Sequence, residues 1–236
     1  MSLFITFEGG DGAGKSTQAQ ALVKFLRKEN RQVVYAEEPG TTLLGKMLKE
    51  WLRDRDHSLT LIPKTGTQLS LIEEQINDHL LPDILLHGMA PRAELLAFII
   101  ARAQLVDEVI LPNLKNGNIV VCNRYADSTV AYQGYGRGVD LKLVDMANHI
   151  ATQGLKPNLT ILLDIVPTEG LSRKWQSTKD HFEKQVLDFH RRVREGYLKL
   201  AAKEPERWLV VDATQSKEKV AKIIWQKVSE LLSDRR

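Results

Sequence analysis

The chain has a single cysteine, Cys122, which excludes an intrachain disulfide framework and a cysteine-built zinc site. It has no run of 18 apolar residues, so nothing reads as a membrane-spanning helix. Neither sign of charge dominates: 33 Lys plus Arg against 30 Asp plus Glu leave a formal charge of +3. That balance gives no argument for a nucleic-acid or membrane partner, although a local basic cluster can still hold phosphate. The six histidines show no metal-ligand spacing. A 43% hydrophobic and 27% charged composition is that of an ordinary folded domain, not of a disordered, collagen-like or coiled-coil chain. The opening residues, MSLFITFEGG, lack the basic and apolar regions of a secretory signal. The expectation is a cytoplasmic enzyme or switch, with residues 1–236 forming one domain that buries its own core.

Short apolar, β-branched runs at 3–7, 32–35, 118–122, 159–164 and 208–212 read as strands. Stretches of helical spacing separate them, such as Leu22, Phe25 and Leu26, or Leu95, Phe98, Ile99 and Arg102. Buried strands alternating with helices predict a three-layer α/β/α fold on a five-stranded parallel sheet, with ligands at the carboxyl ends of the strands. Two segments break the alternation. Residues 55–90 form an insertion in which Leu69, Ile72, Ile76 and Leu80 space out a short amphipathic helix, read as a surface or partner contact. Residues 172–183 form a polar, basic lid between two helices.

Gly9-Gly10-Asp11-Gly12-Ala13-Gly14-Lys15-Ser16 matches G-x-x-x-x-G-K-[ST] between the first strand and a helix starting near Lys15. Glycines let successive N–H groups converge on phosphate oxygens, and the helix amino terminus adds its positive dipole end. Lys15 neutralises the terminal phosphates, and the Ser16 hydroxyl is placed to ligate Mg²⁺. The motif indicates nucleoside triphosphate binding without choosing a reaction. No N-K-x-D base-reading motif follows, as a GTPase would need, and no apolar strand ends in Asp-Glu.

Beyond the loop the chain resembles the thymidylate kinase family. The resemblance is carried by Phe7-Glu8-Gly9 through Ser16-Thr17, by Glu38-Pro39-Gly40, by Ala93 to Phe98 with Arg102, and above all by the block from Arg124 to Gly138. Pro157 to Asp164 and Asp212-Ala213-Thr214 follow in the family's order. The resemblance implies a P-loop kinase that uses ATP and Mg²⁺ to phosphorylate dTMP to dTDP, usually as a homodimer through core helices. By the same resemblance, Gly9 to Thr17 hold ATP, and Lys15 and Arg124 clamp the moving phosphoryl group. Asp11 and Glu38 order the acceptor side, and Lys49 stands where the family often has an arginine. Phe98 stacks on the base, Arg102, Thr129 and Gln133 contact it, and Tyr132 packs near the sugar. Gly12 stands where some members have a loop arginine, so Arg173, Lys174 and Lys179 of the lid become the cations that close over ATP. Taken without the family, Phe98 reads as a core residue and Arg124 as a partner for a buried carboxylate.

Four positions depart from the family's pattern. Asn123 replaces an aspartate, Glu37 an arginine and Lys49 an arginine, while the lid reads Asp180-His181-Phe182-Glu183 instead of Asp-Arg-x-Glu. Loss of a magnesium-organising carboxylate at Asn123 costs roughly 10² to 10³ in turnover unless the amide oxygen of Asn123 still holds a metal-bound water; the expectation is reduced but real activity. Two rivals stay open at this point: a kinase of the same fold for another nucleotide or nucleoside, motivated by Glu37 and Lys49, and a catalytically weak nucleotide-binding regulator, motivated by Asn123.

Overall fold

The computed structural model describes residues 2–53, 89–174 and 184–233. Almost all of the expected insertion, including its helix, and lid residues 175–183 lie outside them.

Five strands form where the apolar runs predict them: β1 (Leu3–Glu8), β2 (Val33–Glu37), β3 (Ile119–Asn123), β4 (Leu159–Asp164) and β5 (Trp208–Asp212). All pair in parallel in the order β2-β3-β1-β4-β5. β4 and β5 keep the expected bounds, while β1, β2 and β3 differ by a residue or two, because ladder hydrogen bonds, not apolarity, end a strand.

Alternation along the buried strands sorts the helices. Leu3, Ile5, Phe7, Val121 and Leu163 face α1 (Lys15–Lys28) and the last helix, Lys217–Ser233. Phe4, Ala36, Val120 and Cys122 face the opposite layer. That layer begins with α2 (Leu43–Arg53) and α3 (Pro91–Leu105). Past Leu105 the chain widens into a π-helical turn, Val106–Ile110, before α4 (Leu111–Lys115), where Pro112 has no N–H to continue an α-ladder.

After β3 come a one-turn helix α5 (Ala126–Thr129) and a second π-helical stretch, Val130–Gly136. Then follow α6 (Leu141–Thr152), α7 (Pro167–Lys174), α8 (Lys184–Lys203) and the last helix, α9. Tyr197 and Val193 of α8 pack on Leu162 and Trp208, and α6 packs outside α3 through Leu95, Ile99, Val144 and Ala151. Among the described residues no helix is long and apolar enough to cross a membrane. Cys122 is buried and free, a packing residue.

Candidate active site

The loop Gly9–Ser16 leaves β1 at the middle of the sheet and runs into α1. Gly12 has φ +75, and a Cβ there would lie 1.7 Å from the Gly170 carbonyl oxygen. Only glycine fits where the loop presses on α7. Gly14 caps α1 in the left-handed region and gives it no side-chain hydrogen bond. The first N–H groups of α1 therefore have no capping side chain and suit an anion. Lys15 Nζ donates to the Gly9 carbonyl at 3.0 Å and the Gly10 carbonyl at 2.7 Å, curled over the loop where phosphates would sit.

Asn123 ends β3 on the α1 face. Its Nδ2 donates to Ser16 Oγ at 3.0 Å, while its Oδ1 is buried with no hydrogen-bond partner among the described residues. An aspartate would accept from the Ser16 hydroxyl, whereas the amide donates into one of its lone pairs. The serine oxygen and the orphaned amide oxygen suit a hard cation or its water, so the residues fit Mg²⁺. No cluster of three or more His, Cys, Asp or Glu forms a metal site among the described residues.

Arg124 follows in the left-handed region with φ +69, which costs a non-glycine residue about 1 to 2 kcal/mol. Its N–H donates to the Phe7 carbonyl at 3.0 Å, and the next N–H, of Tyr125, donates to Glu8 Oε1 at 2.8 Å. This turn brings the Arg124 guanidinium to Asp11 Oδ1 at 2.8 Å and to the Tyr132 hydroxyl at 3.1 Å. The Tyr132 hydroxyl donates to the same Asp11 oxygen at 3.1 Å, and its ring lies 4.8 Å under the guanidinium. Burial opposes the arginine's charge, but Tyr132, Tyr197, Asp11 and Glu8 outweigh it and hold the proton firmly.

On the β2 side Glu38 and Arg102 form a bidentate pair, with Arg102 only 1% exposed. Arg102 also donates to Asn148 Oδ1 at 2.5 Å and to the Tyr125 carbonyl at 3.2 Å. Among the described residues four of its five N–H groups are engaged, and the fifth is on Nη1. Phe98, one turn earlier, is only half-buried and stands outside the buried cores, unlike the core residue its spacing alone suggests. Thr129 and Gln133 are buried, and Gln133 Nε2 donates to Glu94 Oε1 at 2.8 Å, with Arg137 on the other Glu94 oxygen at 2.8 Å.

Two of the departing residues meet. Lys49 Nζ lies 2.5 Å from Glu37 Oε1, beside the Gly40 turn, and the Tyr35 hydroxyl donates to Glu37 Oε2 at 3.4 Å. Arg173 donates to the Ala213 carbonyl at 2.9 Å and to Glu169, which holds it at the exit of β5. The arginines of α8 are committed as well. Arg191 pairs with Asp188, Arg192 donates to the Gly136 carbonyl, and Arg194 grips Asp164 with two bonds of 2.7 and 2.8 Å.

Glu8, Ser128, Asn148 and Tyr197 have no role in the sequence reading. Glu8 has no exposed surface and accepts from Ser128 Oγ at 2.5 Å and the Tyr197 hydroxyl at 2.9 Å, besides Tyr125 N. A carboxylate closing an otherwise apolar strand was the available signal.

The family model for thymidylate kinase matches residues 7–62 and 63–224. The chain belongs to the thymidylate kinase family. It is 43% identical to a thymidylate kinase of Dehalococcoides mccartyi, over 98% of each chain. It is 42% identical to one of a Synechococcus species, over 96% of this chain and 94% of the relative. The crystal structure of thymidylate kinase from Ehrlichia chaffeensis superposes with a TM-score of 0.63 at 31% identity, covering 89% of this chain and 92% of that one.

Within this thymidylate kinase fold the Glu8 carboxyl is strongly perturbed by its surroundings. Burial, aided by Asp127, pushes it up to about 7, although Ser128, Arg124 and Tyr197 pull it down. The folded state thus holds the proton more tightly than the unfolded chain does. That contribution to stability is present below about pH 4.5 and is lost as pH rises through about 7. Urea unfolding across this range should show wild type losing up to about 3 kcal/mol relative to Glu8→Gln. Parallel pH profiles of the two proteins would show that the carboxyl ionises as freely folded as unfolded.

Proposed function

We propose that this chain transfers the γ-phosphoryl group of ATP to dTMP, giving ADP and dTDP. The observation that carries the reading is Arg124, held against the phosphate loop by Asp11 and Gly9 in a chain that matches the family from residue 7 to 224. Phosphoryl transfer needs cations around a charge-spread transition state and little covalent help. Loop N–H groups and Lys15 take the β- and γ-phosphates, Lys15 exchanging its two carbonyl partners for phosphate oxygens. Arg124 leaves Asp11 to bridge the γ-phosphate and the acceptor phosphate. A dTMP phosphate oxygen then bonds to the γ-phosphorus as its bond to the bridging oxygen breaks, and the electron pair leaves with ADP.

Mg²⁺ supplies charge neutralisation between the phosphates when bound, and Ser16 and Asn123 would hold it. Glu38, Lys49 and Asp11 serve the acceptor, with Phe98, Arg102, Thr129 and Gln133 around the base and Tyr132 beside the sugar. Arg173, at the exit of β5, lies on the ATP side. Supply of ATP and Mg²⁺ places the work in the cytoplasm.

The partner is a second copy of the chain. Leu43 and Met47 of α2, Leu96 and Ile100 of α3, and Met146 and Ile150 of α6 are exposed on three helices that pack side by side. Ile150 at 75% and Leu43 at 76% exposure are unusual for a face left in water.

ADP release with ATP and Mg²⁺ should favour dTMP over dUMP, UMP, CMP, AMP, GMP and thymidine; preference for another acceptor would overturn the assignment. Asn123→Asp should raise kcat about a hundredfold to a thousandfold and lower the Mg²⁺ needed for half-maximal rate. An unchanged kcat would show that the amide costs nothing. Sedimentation at micromolar concentration should give a dimer that Leu43→Asp with Ile150→Asp converts to monomer. A wild-type monomer would refute the assembly.

A further inference from the structure

We propose that Glu8 is a positioning residue for phosphoryl transfer, holding the left-handed turn that aims Arg124 across the phosphate loop. The inference rests on the reading of Arg124 as the bridge between donor and acceptor phosphates.

Glu8 is a fully buried carboxylate with no cation bonded to it among the described residues. Such a group is costly in a core, and an apolar residue would do better if packing were its task. Its partners explain its presence. Two of the three, the Tyr125 N–H and the Ser128 hydroxyl, belong to the turn and helix that carry Arg124. The third, the Tyr197 hydroxyl, comes from α8 and also lies 2.9 Å from Ser128 Oγ, so the carboxylate is braced from the opposite wall.

The turn is strained and needs such bracing. Arg124 keeps φ +69 while its own N–H is bound by Phe7 and its carbonyl accepts from Cys122 Sγ at 3.0 Å. The following N–H, on Tyr125, has no main-chain acceptor among the described residues, and Glu8 Oε1 serves it. The Tyr125 ring is buried against Phe4, which fixes the far side. Ser128 then relays the hold to the guanidinium itself, since its Oγ lies 2.5 Å from Glu8 Oε2 and 3.4 Å from Arg124 Nη1. Without Glu8 the Tyr125 N–H is buried and unpaired, and the backbone has reason to leave the left-handed region.

The test measures kcat, KM for ATP and for dTMP, and ATP affinity for Glu8→Ala, Glu8→Gln, Arg124→Ala and the double variant Glu8→Ala with Arg124→Ala. Glu8→Ala should lose about a hundredfold in kcat through misaimed geometry while ATP affinity stays within about threefold. Gln keeps an oxygen for the Tyr125 N–H, and the two hydroxyls can turn to accept from its amide, so Glu8→Gln should recover at least tenfold of that loss. Removing Glu8 should cost almost nothing further once Arg124 is gone, because the two act as a unit. Losses that multiply in the double variant, or a fully active Glu8→Ala, would overturn the proposal. An active Arg124→Ala would instead sink the reading of Arg124, and the positioning role with it. If Glu8→Ala fails to fold, Glu8→Asp keeps the carboxylate but draws it back from Tyr125 N, and the same cycle is run with it.

Discussion

The parallel pairing of β1 with β3, with Phe7 opposite Asn123, is the constraint on which the site depends. Because the two strands end together, the glycine loop after one and the Arg124 turn after the other leave the sheet side by side. Main-chain bonds stitch the exits: the Arg124 N–H to the Phe7 carbonyl, and the Glu38 N–H to the Asn123 carbonyl, both at 3.0 Å. Alternation does the rest. Asn123, in phase with Ile119 and Val121, meets Ser16 on the α1 face, while Glu8, in phase with Phe4, reaches Tyr125 and Tyr197 on the other.

A site for two polyanions must gather cations that repel one another, and this chain gives each a resident partner. Arg124 rests on Asp11, Lys49 on Glu37, and Lys15 on two carbonyls. On the proposed reading phosphate is the stronger partner and displaces these, so the cations need not be ordered anew. The pairing also gives Glu37 and Lys49 a joint sense: a reversed charge at one position is neutralised by the side chain at the other. Arg102 differs, because it is deeply buried with its partners and is part of the scaffold.

Five apolar runs and a phosphate loop were legible because each is written in adjacent residues, where strand alternation and glycine spacing follow local rules. The Arg124 block was legible by family likeness. Arg102 as a buried anchor was not, since a helix position i, i+4 from Phe98 shows a shared face and not what that face meets. Nor was Glu8, whose partners lie 117, 120 and 189 residues away.

By itself the sequence determined the parallel α/β layering, the nucleotide loop and the likeness to thymidylate kinases, because burial pattern and glycine geometry are properties of short segments. Only the tertiary structure decided which partner each charge receives. That choice depends on contacts between strand exits and helices remote in the chain. It is made by the low-dielectric interior, where a carboxylate or guanidinium persists only if its partners are brought to it.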